Sequence, residues 1–166
     1  MRRILAVAIL ATSFSGPAAA QMIILTPDAI GQIFCLSRIG NDMAPVEGLL
    51  TSGLSAAIAE AESKNAVIQK QHPDEKPPLG DGIPWQAVQD YAPQCSVGAV
   101  TLMMDEARVT LNYAFPAALD ANFADSLLLK LVLGAWPEQQ VWRIDNVAYG
   151  TAGDLRKTLV NAFIAN

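Results

Sequence analysis

The residues that could do chemistry in this chain are few: one histidine, two cysteines, three tyrosines and sixteen carboxylates. Turnover near neutral pH asks for a nucleophile beside a base, a cluster spaced to hold a metal, or a carboxylate whose pKa is raised by burial. The chain holds no Gly-x-Ser-x-Gly elbow, Walker loop, dinucleotide fingerprint or metal-spaced set of histidines and glutamates. His72, the one imidazole, sits in a proline-rich stretch and is expected at the surface. Asp90, beside Tyr91, is the best placed carboxylate for a cavity mouth. Tyr113 falls on an inward strand position, where it can donate to an oxyanion or simply be a buried tyrosine with a satisfied hydroxyl. Asp145 is out of phase with Trp142, so it should point away from the layer in which Trp142 packs, paired with Arg143 or with a residue of the neighbouring strand. No residue is singled out as catalytic. Asp81, Trp85, Asp90, Tyr113 and Trp142 are candidates to line a binding pocket. A small-molecule or protein ligand is favoured over catalysis, with a small isomerase, dehydratase or hydrolase using Asp90 and Tyr113 as the alternative. No cofactor or metal is called for.

These residues need a scaffold, and the sequence supplies an α+β one. Thr26-Pro27-Asp28 combines a capping hydroxyl, a proline at the first helical position and an acid at the positive end of the dipole. It predicts a helix to about Ile39, ended by Gly40. Asn41 or Asp42 caps a short second helix through Leu50. Thr51-Ser52 opens a third, with Leu54, Ala57, Ile58, Ala61, Asn65 and Ile68 on one stripe to about Lys70. Residues 71–91 then change character. His72 to Trp85 contains four prolines and two glycines, a composition that breaks both helix and central strand. So long a loop is either a surface crossover pinned by Trp85 and Cys95, or a lid using Asp81, Trp85 and Asp90 around a cavity. From Cys95 the period becomes two: strands over Ser96–Met104 and Ala107–Phe115, turning at Asp105-Glu106, with Val109, Leu111, Tyr113 and Phe115 inward. Ser126–Leu133 is a third strand, apolar at nearly every position. Gln140–Tyr149 is a fourth, expected to be central, with Trp142 and Ile144 on one face and Arg143 and Asp145 on the other. Asp154 begins a final helix with Leu155, Leu159 and Phe163 inward.

The first 20 residues read as a signal peptide: Arg2 and Arg3, an apolar run over Ile4–Ala11, and Ala18-Ala19-Ala20 before Gln21. The run is about half of the ~20 residues a membrane span needs, so no stable membrane anchor is expected. Residues 21–166 form one expected domain, periplasmic or secreted. Without the two leading arginines, nine basic residues face sixteen acids, a net charge near −7. Such a balance disfavours nucleic acid. In an oxidising compartment Cys35 and Cys95 read as one disulfide rather than as reactive thiols.

Four stretches carry a resemblance: Leu50-Thr51-Ser52-Gly53-Leu54-Ser55-Ala56-Ala57-Ile58, Gly82-Ile83-Pro84-Trp85-Gln86-Ala87-Val88-Gln89-Asp90, Val141-Trp142-Arg143-Ile144-Asp145-Asn146-Val147 and Leu155-Arg156-Lys157-Thr158-Leu159. In this order they resemble the nuclear-transport-factor-two-like superfamily, also called SnoaL-like or cystatin-like, and more narrowly the secreted bacterial family termed domain of unknown function 3828. The superfamily usually ends on its last strand, and the helix after it is a departure. The resemblance implies a cone: a curved four-stranded antiparallel sheet wrapped around a helix, with a pocket at the wide end. Across the superfamily that pocket is an isomerase or dehydratase site, a ligand cavity or plain core, so the fold does not decide the function. It also implies dimers through the open sheet face, here Leu128, Lys130 and Val132. A C-terminal helix over that face would give the same pattern in a monomer.

Overall fold

The computed structural model describes residues 24–80, 82–88, 90–134, 139–150 and 153–164. The expected signal peptide, and Asp81 among the pocket candidates, lie outside the described residues. The chain is α+β: helices α1 (Pro27–Ile39), α2 (Ala44–Glu47) and α3 (Ser52–Gln71), strands β1 (Gln94–Met103), β2 (Glu106–Ala114), β3 (Phe123–Leu133) and β4 (Gln140–Ala148), then helix α4 (Leu155–Asn161). The strands form one antiparallel sheet in the order β1-β2-β3-β4.

Each longer helix begins at the side chain the sequence marks. Thr26 Oγ1 accepts from Ala29 N, Thr51 Oγ1 from Leu54 N, and Asp154 Oδ1 from Lys157 N at 2.9 Å. Each cap satisfies an amide that the first turn leaves unpaired and contributes about 1 kcal/mol. The second helix is shorter than expected and stops at Glu47. Leu49 to Thr51 instead run beside β4: Ile144 N donates to Leu49 O and Thr51 N donates to Ile144 O, both at 2.8 Å. Here the structure also departs from the expectation of a central fourth strand. β4 is an edge, and this short parallel bridge is what covers it.

The core lies between one sheet face and the helices. β2 contributes Val109, Leu111 and Tyr113, β3 contributes Leu127 and Leu129, and β4 contributes Ile144 and Val147; Ile30 and Phe34 of α1, Leu54 and Ile58 of α3, and Leu155 and Leu159 of α4 close over them. Gly31 allows α1 to approach the sheet, because a Cβ there would lie 2.8 Å from Val109 Cγ1. The Cys35–Cys95 disulfide fastens the same helix to β1 across 60 residues of chain. α4 packs against α3 and β4 with Leu155 and Leu159 in the core. On the opposite sheet face Leu128 and Val132 are half-buried and Lys130 is exposed.

Two bulges interrupt the ladder. One lies between Val97 and Val100 of β1, and the other puts Asp145 between the pairs Leu128–Asn146 and Leu129–Ile144. The second shifts the phase of β4, so that Ile144 and Val147, three apart, are both fully buried. Strict alternation misses this. The freed Asp145 carboxylate gathers side chains from three elements. Thr51 Oγ1 donates to it at 2.9 Å, Arg156 Nη2 at 2.8 Å, and Lys130 Nζ of the adjacent strand lies 3.3 Å away. Arg156 Nε also donates to Asp145 O at 2.7 Å. Burial opposes ionisation of Asp145, but the Thr51 hydrogen bond and the Arg156 charge outweigh it and hold the carboxyl below its ordinary range.

Candidate functional site

The proline-rich segment between α3 and β1 is fastened at several points. Asn65 Oδ1 accepts from Leu79 N at 2.9 Å. Tyr149 donates its hydroxyl proton to Pro84 O at 2.5 Å, and burial pushes that phenol up to about 12. Gly82 sits at φ +133°, a conformation that a side chain would strain. Trp85 turns inward, 8% exposed, and meets Phe34 edge-on at 6.1 Å.

Between this segment, the end of α1 and the end of α4 lies a cavity of about 740 Å³, within the range of small-molecule sites. Ile83, Trp85, Val88 and Tyr91 give it apolar and aromatic walls, Thr158 and Asn161 come from α4, and Arg38 comes from the last turn of α1. Ile83 and Trp85 also border a second cavity of about 340 Å³ against α2 and α3.

Arg38 is only 6% exposed. Its Nε and Nη2 donate to Gln86 Oε1 at 3.2 and 2.7 Å. Gln86 is itself held, since its Nε2 donates to Val88 O at 2.8 Å and to Asp90 O at 2.7 Å, which fixes its oxygen toward Arg38. The Tyr91 ring lies 4.5 Å from the guanidinium carbon, in cation–π range. Asp125 anchors the following residue: its Oδ2 accepts from Ala87 N at 2.9 Å and its Oδ1 from Gly150 N at 3.0 Å. Burial raises the Asp125 pKa, and the two amide bonds offset part of the rise.

The sequence candidates are scattered by the fold. Trp85 lines both cavities. Asp90 has an exposed side chain and enters the site only through its backbone oxygen. Tyr113 is 2% exposed and stacks on Phe123 at 4.6 Å; its hydroxyl is buried without a hydrogen-bond partner. Burial, and then the nearby Asp125 charge, raise that phenol's pKa. Asp90 and Tyr113 therefore share no hydrogen bond. Trp142 is half-buried against the core, and neither it nor Tyr113 lines either cavity. His72 is exposed near Glu75. Among the described residues no group of three or more His, Cys, Asp or Glu could hold a metal ion, and no helix is long and apolar enough to cross a membrane.

Arg38, Gln86 and Asp125 are the residues that sequence reasoning missed. Arg38 carried a signal, lying four residues after Phe34 and eight after Ile30 on the buried stripe of α1. Comparison of the chain with protein-family models, with curated proteins and with solved structures gave no match.

Proposed function

We propose that this protein is a small-ligand-binding domain whose site is the cavity beneath the proline-rich segment. The observation that carries the reading is the meeting of aromatic walls with one buried arginine in a space of about 740 Å³. Ligand pockets of that size are mostly apolar, with a few placed polar groups that set orientation. The disulfide is compatible with an extracytoplasmic location, which agrees with reading residues 1–20 as a cleaved signal peptide. The element order, and two bulges of the kind that bend sheets, support the cone-shaped fold and the nuclear-transport-factor-two-like resemblance. The narrower secreted family rests on the sequence likeness alone. The acidic balance leaves a basic protein partner as a second occupant of the surface.

Native mass spectrometry of the protein secreted from its own signal peptide tests the proposal. The expected spectrum shows a stoichiometric adduct of small-molecule mass that gentle activation releases. A bare chain, with no adduct regained on incubation with a periplasmic metabolite extract, counts against a ligand site. The same spectrum reads monomer or dimer, and so tests whether Leu128, Lys130 and Val132 meet a second copy.

A further inference from the structure

The geometry points to an organic carboxylate as the ligand, its acid head on the Nη1–Nη2 edge of Arg38 and its apolar body against Trp85, Ile83 and Tyr91. The inference rests on the cavity being a ligand site, and it deepens that reading by naming the ligand's class.

Three observations converge on it. First, Arg38 is a buried cation paired with a neutral group. Its hydrogen bonds run to the Gln86 amide oxygen, and among the described residues no carboxylate lies within ion-pair distance of it. A guanidinium that serves only structure, when withdrawn from water, is ordinarily met by an acid. Second, the unused donors have a direction. Gln86 takes the Nε–Nη2 side, so the Nη1–Nη2 fork remains. Among the described residues Nη1 makes no hydrogen bond, and it is not among the side-chain atoms sealed from solvent without a partner; with Arg38 on the cavity wall, the fork opens into that space. This fork matches the spacing of two carboxylate oxygens. Third, the guanidinium is held before any ligand arrives, by Gln86 at its edge and Tyr91 over its face, which lowers the entropy lost on binding.

The test is a matched panel. Benzoate, cinnamate and decanoate are each titrated against their primary amides, with phenyl phosphate alongside, by calorimetry on the disulfide-bonded mature protein. Each carboxylate is expected to bind about tenfold or more tightly than its amide, the worth of a charge-assisted pair. The advantage should vanish in Arg38→Met, and in the wild type as pH falls through the ligand's own carboxyl pKa. Tyr91→Ala, at a side chain on the surface, removes a wall and leaves the fork; it should weaken every ligand while keeping the carboxylate preference. Far-UV circular dichroism and melting temperature establish that both variants are folded, and should Arg38→Met fail to fold, the pH series and Tyr91→Ala decide. Amides that bind as well as acids would overturn the carboxylate and leave the cavity a ligand site. Phenyl phosphate binding tenfold above benzoate would overturn it in favour of phosphate. A carboxylate preference that survives Arg38→Met would remove Arg38 from the site. Silence from every compound would overturn the carboxylate, and the adduct spectrum then decides whether the cavity is a ligand site.

Discussion

Two arginines on this fold have opposite surroundings. Arg156, at the start of α4, donates to the Asp145 carboxylate, the Asp145 carbonyl and the Gly53 carbonyl, while its backbone amide meets Asn146 Oδ1 at 3.1 Å. Each nitrogen of that side chain reaches an acceptor, and those acceptors belong to the elements it fastens together. Arg38, at the end of α1, is more deeply buried yet faces a neutral amide, an aromatic ring and open space. The contrast separates a cation that closes the fold from one that meets no carboxylate among the described residues. Partner identity makes the distinction, because burial alone would rank Arg38 as the more structural of the two.

The contrast can be broken experimentally, beginning with the largest effect. The disulfide fixes Cys35 on α1 three residues before Arg38. The Cys35→Ser, Cys95→Ser double variant should lose about 4 kcal/mol by the chain-entropy account of a 60-residue loop, read by urea unfolding. A loss below about 1 kcal/mol would mean that α1, and Arg38 with it, is positioned by packing alone. Next, Asp145→Ala should remove about 2–3 kcal/mol, since it strands Arg156 and leaves Thr51 with one partner fewer; Arg156→Met should fall in the same range.

The pH dependence follows from the same carboxylate. Asp145 has a folded pKa below its unfolded value, so it stabilises the fold above the ordinary aspartate range and the contribution disappears as pH falls through the lowered folded value. Asp125 has the opposite sign. Its folded pKa is raised, so its contribution is fully present at low pH and is lost as pH rises through that folded value. Asp145→Asn should therefore flatten the acid limb of the stability profile, and an unchanged limb would assign acid unfolding elsewhere. The smallest stability effect belongs to Arg38→Met. It should stay within about 1 kcal/mol of wild type, because relief of a buried charge offsets the hydrogen bonds lost to Gln86. If Arg38→Met destabilises as much as Arg156→Met, the two arginines are alike and the contrast fails.

The parts of this architecture that are legible in the sequence are those set by local chemistry. Thr26, Thr51 and Asp154 announce their helices because capping depends on neighbours within one turn. The inward run Val109, Leu111, Tyr113 shows because β2 has no bulge of its own, and the cysteine pair shows because two were present. What stayed hidden depends on distant chain. The Asp145 bulge is set by pairing with β3, and it undoes the period-two reading of β4. The edge position of β4 is masked because residues 49–51 cover it from another part of the chain. Asp125 escaped notice because it precedes the apolar run that marks β3, although it shares the inward phase of Leu127 and Leu129. Asp90, singled out for its carboxylate, contributes a backbone oxygen instead. Arg38 reads locally as an ordinary base at a helix C-terminus, and only the folded chain shows Gln86 holding its edge.

The most direct measurement is a crystal structure of the mature protein grown with the tightest carboxylate of the panel. The account predicts density in the cavity beneath the proline-rich segment, with both acid oxygens in hydrogen-bond range of the Arg38 guanidinium and the body against Trp85. An empty cavity at saturating ligand, or a ligand seated away from Arg38, would contradict it.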